Sequence, residues 1–203
     1  MLRNTAKASL IAGLTLVLGA CSLLPAAKPV QSWTLVPEAK VISDSGSEDA
    51  FSDLRILRPQ TQDLLSGSYM LVVPEGQPVS VYQGARWGAS IPTLWRDYLV
   101  GSLQQDSRFS HISGDEVRVA ARYELVSRLD AFQSEYRNGQ PVAVIRGYLQ
   151  LVEVNSRRIL AERPLAVTQP AQGKDVAAVV DAFSVLMAAT AADVSQWLLE
   201  VPR

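Results

Sequence analysis

The 203-residue chain has one cysteine and one histidine. A single cysteine excludes an intrachain disulfide, so Cys21 needs another role. Without a second histidine or a second thiol, any metal site would have to be built from carboxylates, and no metal is expected. His111 stands just past an expected helix, where a lone imidazole is a capping or surface group rather than a base. There is no Gly-x-Ser-x-Gly elbow for a serine nucleophile, and Ser66-Gly67-Ser68 reads as a loop. Gly84-Ala85-Arg86-Trp87-Gly88 lacks the lysine of a phosphate-binding loop. The acidic pairs Glu48-Asp49 and Asp115-Glu116 fall in expected loops and read as solvated. No internal repeat is visible. These absences leave no catalytic residue to assign, and enzymatic activity is not expected.

What the chain does have begins at its N-terminus. Arg3 and Lys7 form a short positive segment, and residues 10–18 form an apolar run. Gly19 and Ala20 are small, and Cys21 follows them. The apolar run is too short for a comfortable membrane span and has the layout of a secretory leader. With cysteine at the cleavage point, it reads as a bacterial lipoprotein signal. Residues 1–20 would be removed, and Cys21 would carry diacylglycerol and an N-acyl chain. A membrane helix with an incidental cysteine is the alternative, and it leaves the one thiol without a job. Three acyl chains, each worth roughly 0.8 kcal/mol per buried CH2, would hold the protein at a bilayer almost permanently. No cofactor is expected beyond that covalent lipid. Ser22 follows the cysteine; in enterobacterial-type sorting an aspartate there favours inner-membrane retention, whereas serine fits export to the outer membrane.

Loss of Arg3 and Lys7 with the leader leaves 17 basic against 20 acidic residues, a formal net charge of −3. That balance argues against nucleic acid, which calls for a basic face. Residues 21–32 contain Pro25 and Pro29 and read as a lipidated tether. Ten extended residues reach roughly 30 Å, enough to lift a domain clear of headgroups. Residues 33–203 suffice for a single domain with its own core.

Short strands are predicted at 33–36, 54–58, 69–73 and 79–82, with a polar loop over 42–53. Ile91, Leu94, Trp95, Tyr98, Leu99 and Leu103 recur at helical spacing, with Ser90 at the N-cap and Pro92 in the first turn. The helix should end near 106–108, with Phe109 returning to the core. Residues 121–136 and 142–154 alternate apolar and polar around Asn138-Gly139, the preferred pair for a type I′ hairpin turn. A third strand follows over 158–168. Val176, Val179, Val180, Phe183, Met187, Thr190, Val194 and Trp197 mark a final amphipathic helix capped by Asp175. The expected fold is α+β, a mostly antiparallel sheet with two amphipathic helices packed on one face. Trp87, Trp95, Tyr98 and Trp197 are either core aromatics or the lining of an apolar groove for a partner segment or lipid. Arg86 would cap such a groove or pair with a buried acid. Arg86, Trp87 and Trp95 are therefore the candidate partner-contact residues.

Several of these residues resemble a known family. Tyr82-Gln83-Gly84-Ala85-Arg86-Trp87, then Pro92 and Leu94, then Asp106-Ser107-Arg108-Phe109 are similar to the central signature of ABC-type transport auxiliary lipoproteins of the paraquat-inducible protein C type. Tyr123-Glu124-Leu125 with Leu129 and Phe132 resembles the family's long-strand segment. Ala182-Phe183 and Trp197 resemble its closing helix. Asp106-Ser107 departs from the Ser-Gly more usual before Arg-Phe, a change that matters only if position 107 needs a positive φ. The resemblance implies an outer-membrane lipoprotein facing the periplasm, a partner of a periplasm-spanning MCE-domain protein in a lipid transport system. It would act as a non-enzymatic docking component, in a ring of copies. The alternative is a periplasmic lipid-binding chaperone or shuttle with its own apolar pocket. On this reading Cys21→Ala leaves the precursor uncut and blocks delivery to the outer membrane. Fractionation of the mutant together with metabolic labelling by a palmitate analogue checks it: normal fractionation, or an unlabelled wild-type chain, contradicts it.

Overall fold

A computed structural model describes residues 29–37 and 52–202. The leader, Cys21 and most of the 42–53 loop lie outside the described residues. The elements run β1 (Gln31–Trp33), β2 (Leu54–Ile56), β3 (Gln60–Thr61), α1 (Asp63–Ser66), β4 (Tyr69–Val73), β5 (Ser80–Trp87), α2 (Ile91–Gln104), β6 (Ser113–Gly114), β7 (Tyr123–Arg137), β8 (Gln140–Glu153), β9 (Arg158–Pro170) and α3 (Val176–Glu200). The first strand thus begins inside the segment expected to be tether.

Three long strands form the meander that the alternation predicts. β7 pairs antiparallel with β8, and β8 with β9. The turn between β7 and β8 has φ of 52° at Asn138 and 72° at Gly139, the left-handed pair a type I′ turn requires. The rest of the sheet corrects the expectation of a mostly antiparallel arrangement. β2, β3 and β4 lie one after another along the other edge of β7, all parallel to it. β6 adds parallel to β2, and β1 parallel to β5; only β4 and β5 pair antiparallel on this side. Five of the eight pairings are parallel, so the α+β domain has a mixed sheet. Alternation reports which face of a strand is buried, not which way its neighbour runs. A parallel return needs a long crossover, and α2 supplies it between β4 and β7.

β7 carries a bulge. Leu129 faces Gly147 and Ala131 faces Arg146, leaving Asp130 as the extra residue. Before it, Leu125, Ser127 and Leu129 are buried; beyond it, Phe132 and Ser134 are. One inserted residue moves the buried phase from odd to even positions, as a period of two demands. Gly147 permits the close approach this creates. A Cβ there would lie 2.0 Å from the Arg128 carbonyl oxygen and 3.3 Å from Leu129 Cα.

α2 and α3 pack against each other over the sheet, α2 toward β2 and β6, α3 toward β8 and β9. Their inner stripes, Leu94, Trp95 and Leu99 on α2 and Val179, Phe183, Met187 and Leu198 on α3, fill one continuous core. The Asp175 carboxylate accepts the Ala178 N–H at 2.8 Å, capping α3 as predicted. Ser90 occupies the N-cap position of α2, but its hydroxyl donates to Thr93 Oγ1 at 3.0 Å instead of capping a backbone N–H. A third helix, the single turn α1, joins β3 to β4. Because backbone, rather than a flexible side chain, occupies the space a methyl would need at residue 147, Gly147→Ala should destabilise the domain by about 1–3 kcal/mol. Urea unfolding would measure this, and an unchanged midpoint would mean that the bulge yields freely.

Candidate functional site

The structure separates the three residues expected to contact a partner. Trp87 ends β5 at 2 % exposure, inside an aromatic cluster. Its ring meets Phe132 at 5.8 Å and 76°, and Phe183 at 5.3 Å and 85°, while Phe132 and Phe183 stack at 4.8 Å. Edge-to-face and offset geometries of this kind suit the quadrupoles of the rings. The bulge in β7 is what turns Phe132 into this cluster. Trp95 is fully buried on α2, and its indole N–H donates to Ser127 Oγ at 3.2 Å. The groove reading of Trp87 and Trp95 is therefore corrected: both rings are core, held by helix α2, helix α3 and β7. Arg86 points out from β5, and its Nε–H donates to Ser32 Oγ across to β1 at 3.2 Å. Tyr98 is also buried. Trp197 is half-buried beneath the Arg163 guanidinium, 5.2 Å from the ring centroid, and Arg163 pairs with Asp193.

Two ionic clusters fasten loops to helices. Asp106, just beyond α2, is buried. It accepts from Arg108 Nε at 2.8 Å, from Arg108 Nη2 at 2.7 Å and from Ser195 Oγ on α3 at 2.8 Å. Burial works against its charged form, but the hydrogen bonds from Arg108 and Ser195 prevail and hold its carboxyl below the usual carboxylate range. The Asp106-Ser107-Arg108 turn thus ties the end of α2 to α3. Ser107 does not have positive φ, so the backbone there does not call for glycine.

The second cluster surrounds Arg96, which is buried on α2. Its Nη1 lies 2.5 Å from Asp115 Oδ1 and 2.7 Å from Glu116 Oε2, and its Nη2 lies 2.6 Å from Asp97 Oδ1. Arg58 Nε reaches the other Asp115 oxygen at 2.9 Å. Burial opposes the Asp115 charge, yet bonds from Arg96 and Arg58 lower its pKa. Asp115-Glu116 is therefore not merely a solvated pair. It pins the segment after β6 to the helix.

His111 is exposed, has a φ of 53° and places Nδ1 3.2 Å from Asp53 Oδ1. Among the described residues no group of three or more His, Cys, Asp or Glu is arranged to hold a metal ion. Two clefts flank α2. One, of about 530 Å³, is lined by Val100, Ile112, Val117, Val119, Asp53 and Glu116. The other, of about 360 Å³, lies between α2 and α3 beside Pro37, Tyr98, Leu103, Ala188 and Ala192. Neither cleft was legible as a site in the sequence. The one signal was a pair of valines, Val117 and Val119, in an otherwise polar loop.

A family model described as ABC-type transport auxiliary lipoprotein component matches residues 33–195. Among solved structures, a Xanthomonas campestris protein of the DUF330 family is 20% identical, with a TM-score of 0.69 over 84% of this chain and 93% of that one. A crystal structure of an uncharacterized protein is 14% identical, with a TM-score of 0.65 over 85% of this chain and 99% of that one. The PelC dodecamer of Paraburkholderia phytofirmans is 9% identical, with a TM-score of 0.46 over 86% of this chain and 95% of that one. At these identities the likeness shows the fold alone, and that of PelC is too remote for its assembly to bear on this chain. No curated protein matches the sequence.

With its ring in the core, Trp95→Ala should cost about 3–5 kcal/mol of stability. Guanidinium unfolding followed by circular dichroism would read this, and a loss near zero would return the ring to a partner-facing surface.

Proposed function

The chain belongs to the family of ABC-type transport auxiliary lipoprotein components, and from that membership we propose that it is an outer-membrane-anchored, periplasm-facing docking component of an MCE-domain lipid transport system. Cys21 is the lipidated residue and residues 1–20 are the signal peptide. The acyl chains hold the body at the membrane, and the tether lets it stand off the headgroups to meet the end of a periplasm-spanning partner. The role is non-enzymatic: the domain binds and positions, and ATP hydrolysis belongs to other components. A ring of copies around the bridge is part of this reading.

The family match carries the proposal, because it covers nearly all of the chain beyond the leader and tether. The side chains support it. Asp106, Arg108, Ser195, Arg96 and Asp115 hold elements of the domain to one another. His111, the only histidine, pairs with Asp53 at the surface. These contacts favour a rigid binding body over a reactive centre.

Affinity purification of the tagged, lipidated protein from detergent-solubilised envelopes should recover an MCE-domain protein. Recovery of outer-membrane assembly factors alone would count against the proposal. Stoichiometric phospholipid on the purified chain in native mass spectrometry, with no protein partner, would favour the lipid-shuttle reading instead.

A further inference from the structure

The larger cleft has a composition that selects its occupant. Val117 and Val119 stand at its side with 44 % and 48 % of their surfaces exposed, next to Val100 and the buried Ile112. Exposed β-branched side chains beside a concavity of about 530 Å³ form an apolar hole of the size that takes an anchoring side chain. Its charged lining residues are of one sign. Asp53 and Glu116 each keep about half of the side chain in solvent, and among the described residues no lysine or arginine lines the cleft. Arg118 lies between the two valines in sequence but is not part of the lining. His111 also lines the cleft and pairs with Asp53, and Arg96 touches one oxygen of Glu116 while also serving Asp97 and Asp115.

The site is also rigid. Glu116 folds back over Gly114, so closely that a Cβ on residue 114 would fall 2.4 Å from its carboxylate. The buried Arg96 then fixes Asp115 and Glu116 to α2, and the Arg55 guanidinium bonds the Val119 carbonyl. A wall held in this way loses little entropy on binding.

An apolar hole with a carboxylate rim repels a phospholipid phosphate and favours an apolar side chain flanked by lysine or arginine. We infer that this cleft is the docking site for the partner transport protein, which inserts a basic-flanked apolar side chain between α2 and the Val117–Val119 wall. The inference rests on the proposed function for the existence of that partner, and takes from the structure where the partner sits and what it presents.

Photocrosslinking in cells tests this with the full lipidated chain. Benzoylphenylalanine replaces Val117 or Val119 and, as a control outside the cleft lining, the exposed Val185 of α3. The expected product is a cross-link from 117 and 119, but not from 185, to the MCE-domain protein, identified by mass spectrometry. The double change Asp53→Lys and Glu116→Lys should cut its yield by about tenfold, since like charges at an interface are costly. Val119→Asp, which leaves the Arg96 cluster intact, should cut it similarly, and thermal unfolding confirms that each variant is folded. If the MCE-domain protein co-purifies but cross-links only through Val185, the inference is wrong and the proposed function stands. Cross-links only to phospholipid, or back to residues 38–51 of the same chain, assign the cleft to another occupant and also overturn it. If no MCE-domain protein co-purifies with the unmodified chain, the proposed function falls, and the inference with it.

Discussion

Everything in this domain is organised around β7, and β7 depends on one contact. Asp130 is an extra residue, and opposite it the backbone of β8 comes so near the Arg128 carbonyl that only a glycine fits. A strand of fifteen residues would ordinarily bury a single parity of side chains. The inserted residue lets Leu125 and Leu129 serve one half of the core and Phe132 the other. Trp87 from β5 and Phe183 from α3 then close on Phe132. The sheet and the last helix meet at that ring cluster.

Around this apolar centre, charge is used to place loops rather than to add much stability. Burying Arg96 and Asp106 carries a desolvation penalty that their partners roughly repay. The result is geometric. The end of α2 is locked to α3 through Asp106 and Ser195, and the segment after β6 is locked to α2 through Arg96. Removing one member would leave a buried charge unmatched, so these networks resist piecemeal change.

Much of this was legible in the residues. β4 occupies the predicted 69–73, the Asn138-Gly139 turn is where its dipeptide placed it, and Asp175 caps α3. Local rules govern such features, and the information sits within a few positions. Direction of pairing does not. β3 and β6 are two residues each, too short to show any period, and the parallel lie of β2, β3 and β4 on β7 depends on a chain segment far downstream. The Arg96–Asp115 pair spans nineteen positions, and in sequence it reads as a solvated acid beside a helix. For the candidate site, Arg86, Trp87 and Trp95 stand out by their chemistry, but aromatic chemistry serves a core as readily as a groove. The cleft walls, Val117 and Val119, are isolated valines in a loop and carry no periodic signal.

The parallel pairing has a consequence for how this protein comes into being. Leu54 stands in register with Tyr123, and the Tyr123 N–H donates to the Asp53 carbonyl. A chain made N-terminus first presents β2 and β4 some sixty to seventy residues before β7, the strand they share. Non-local closure of this sort is slow relative to helix or hairpin formation. Until then the leading third of the domain waits for a template laid down in the middle of the chain, with β5 the one neighbour already beside β4.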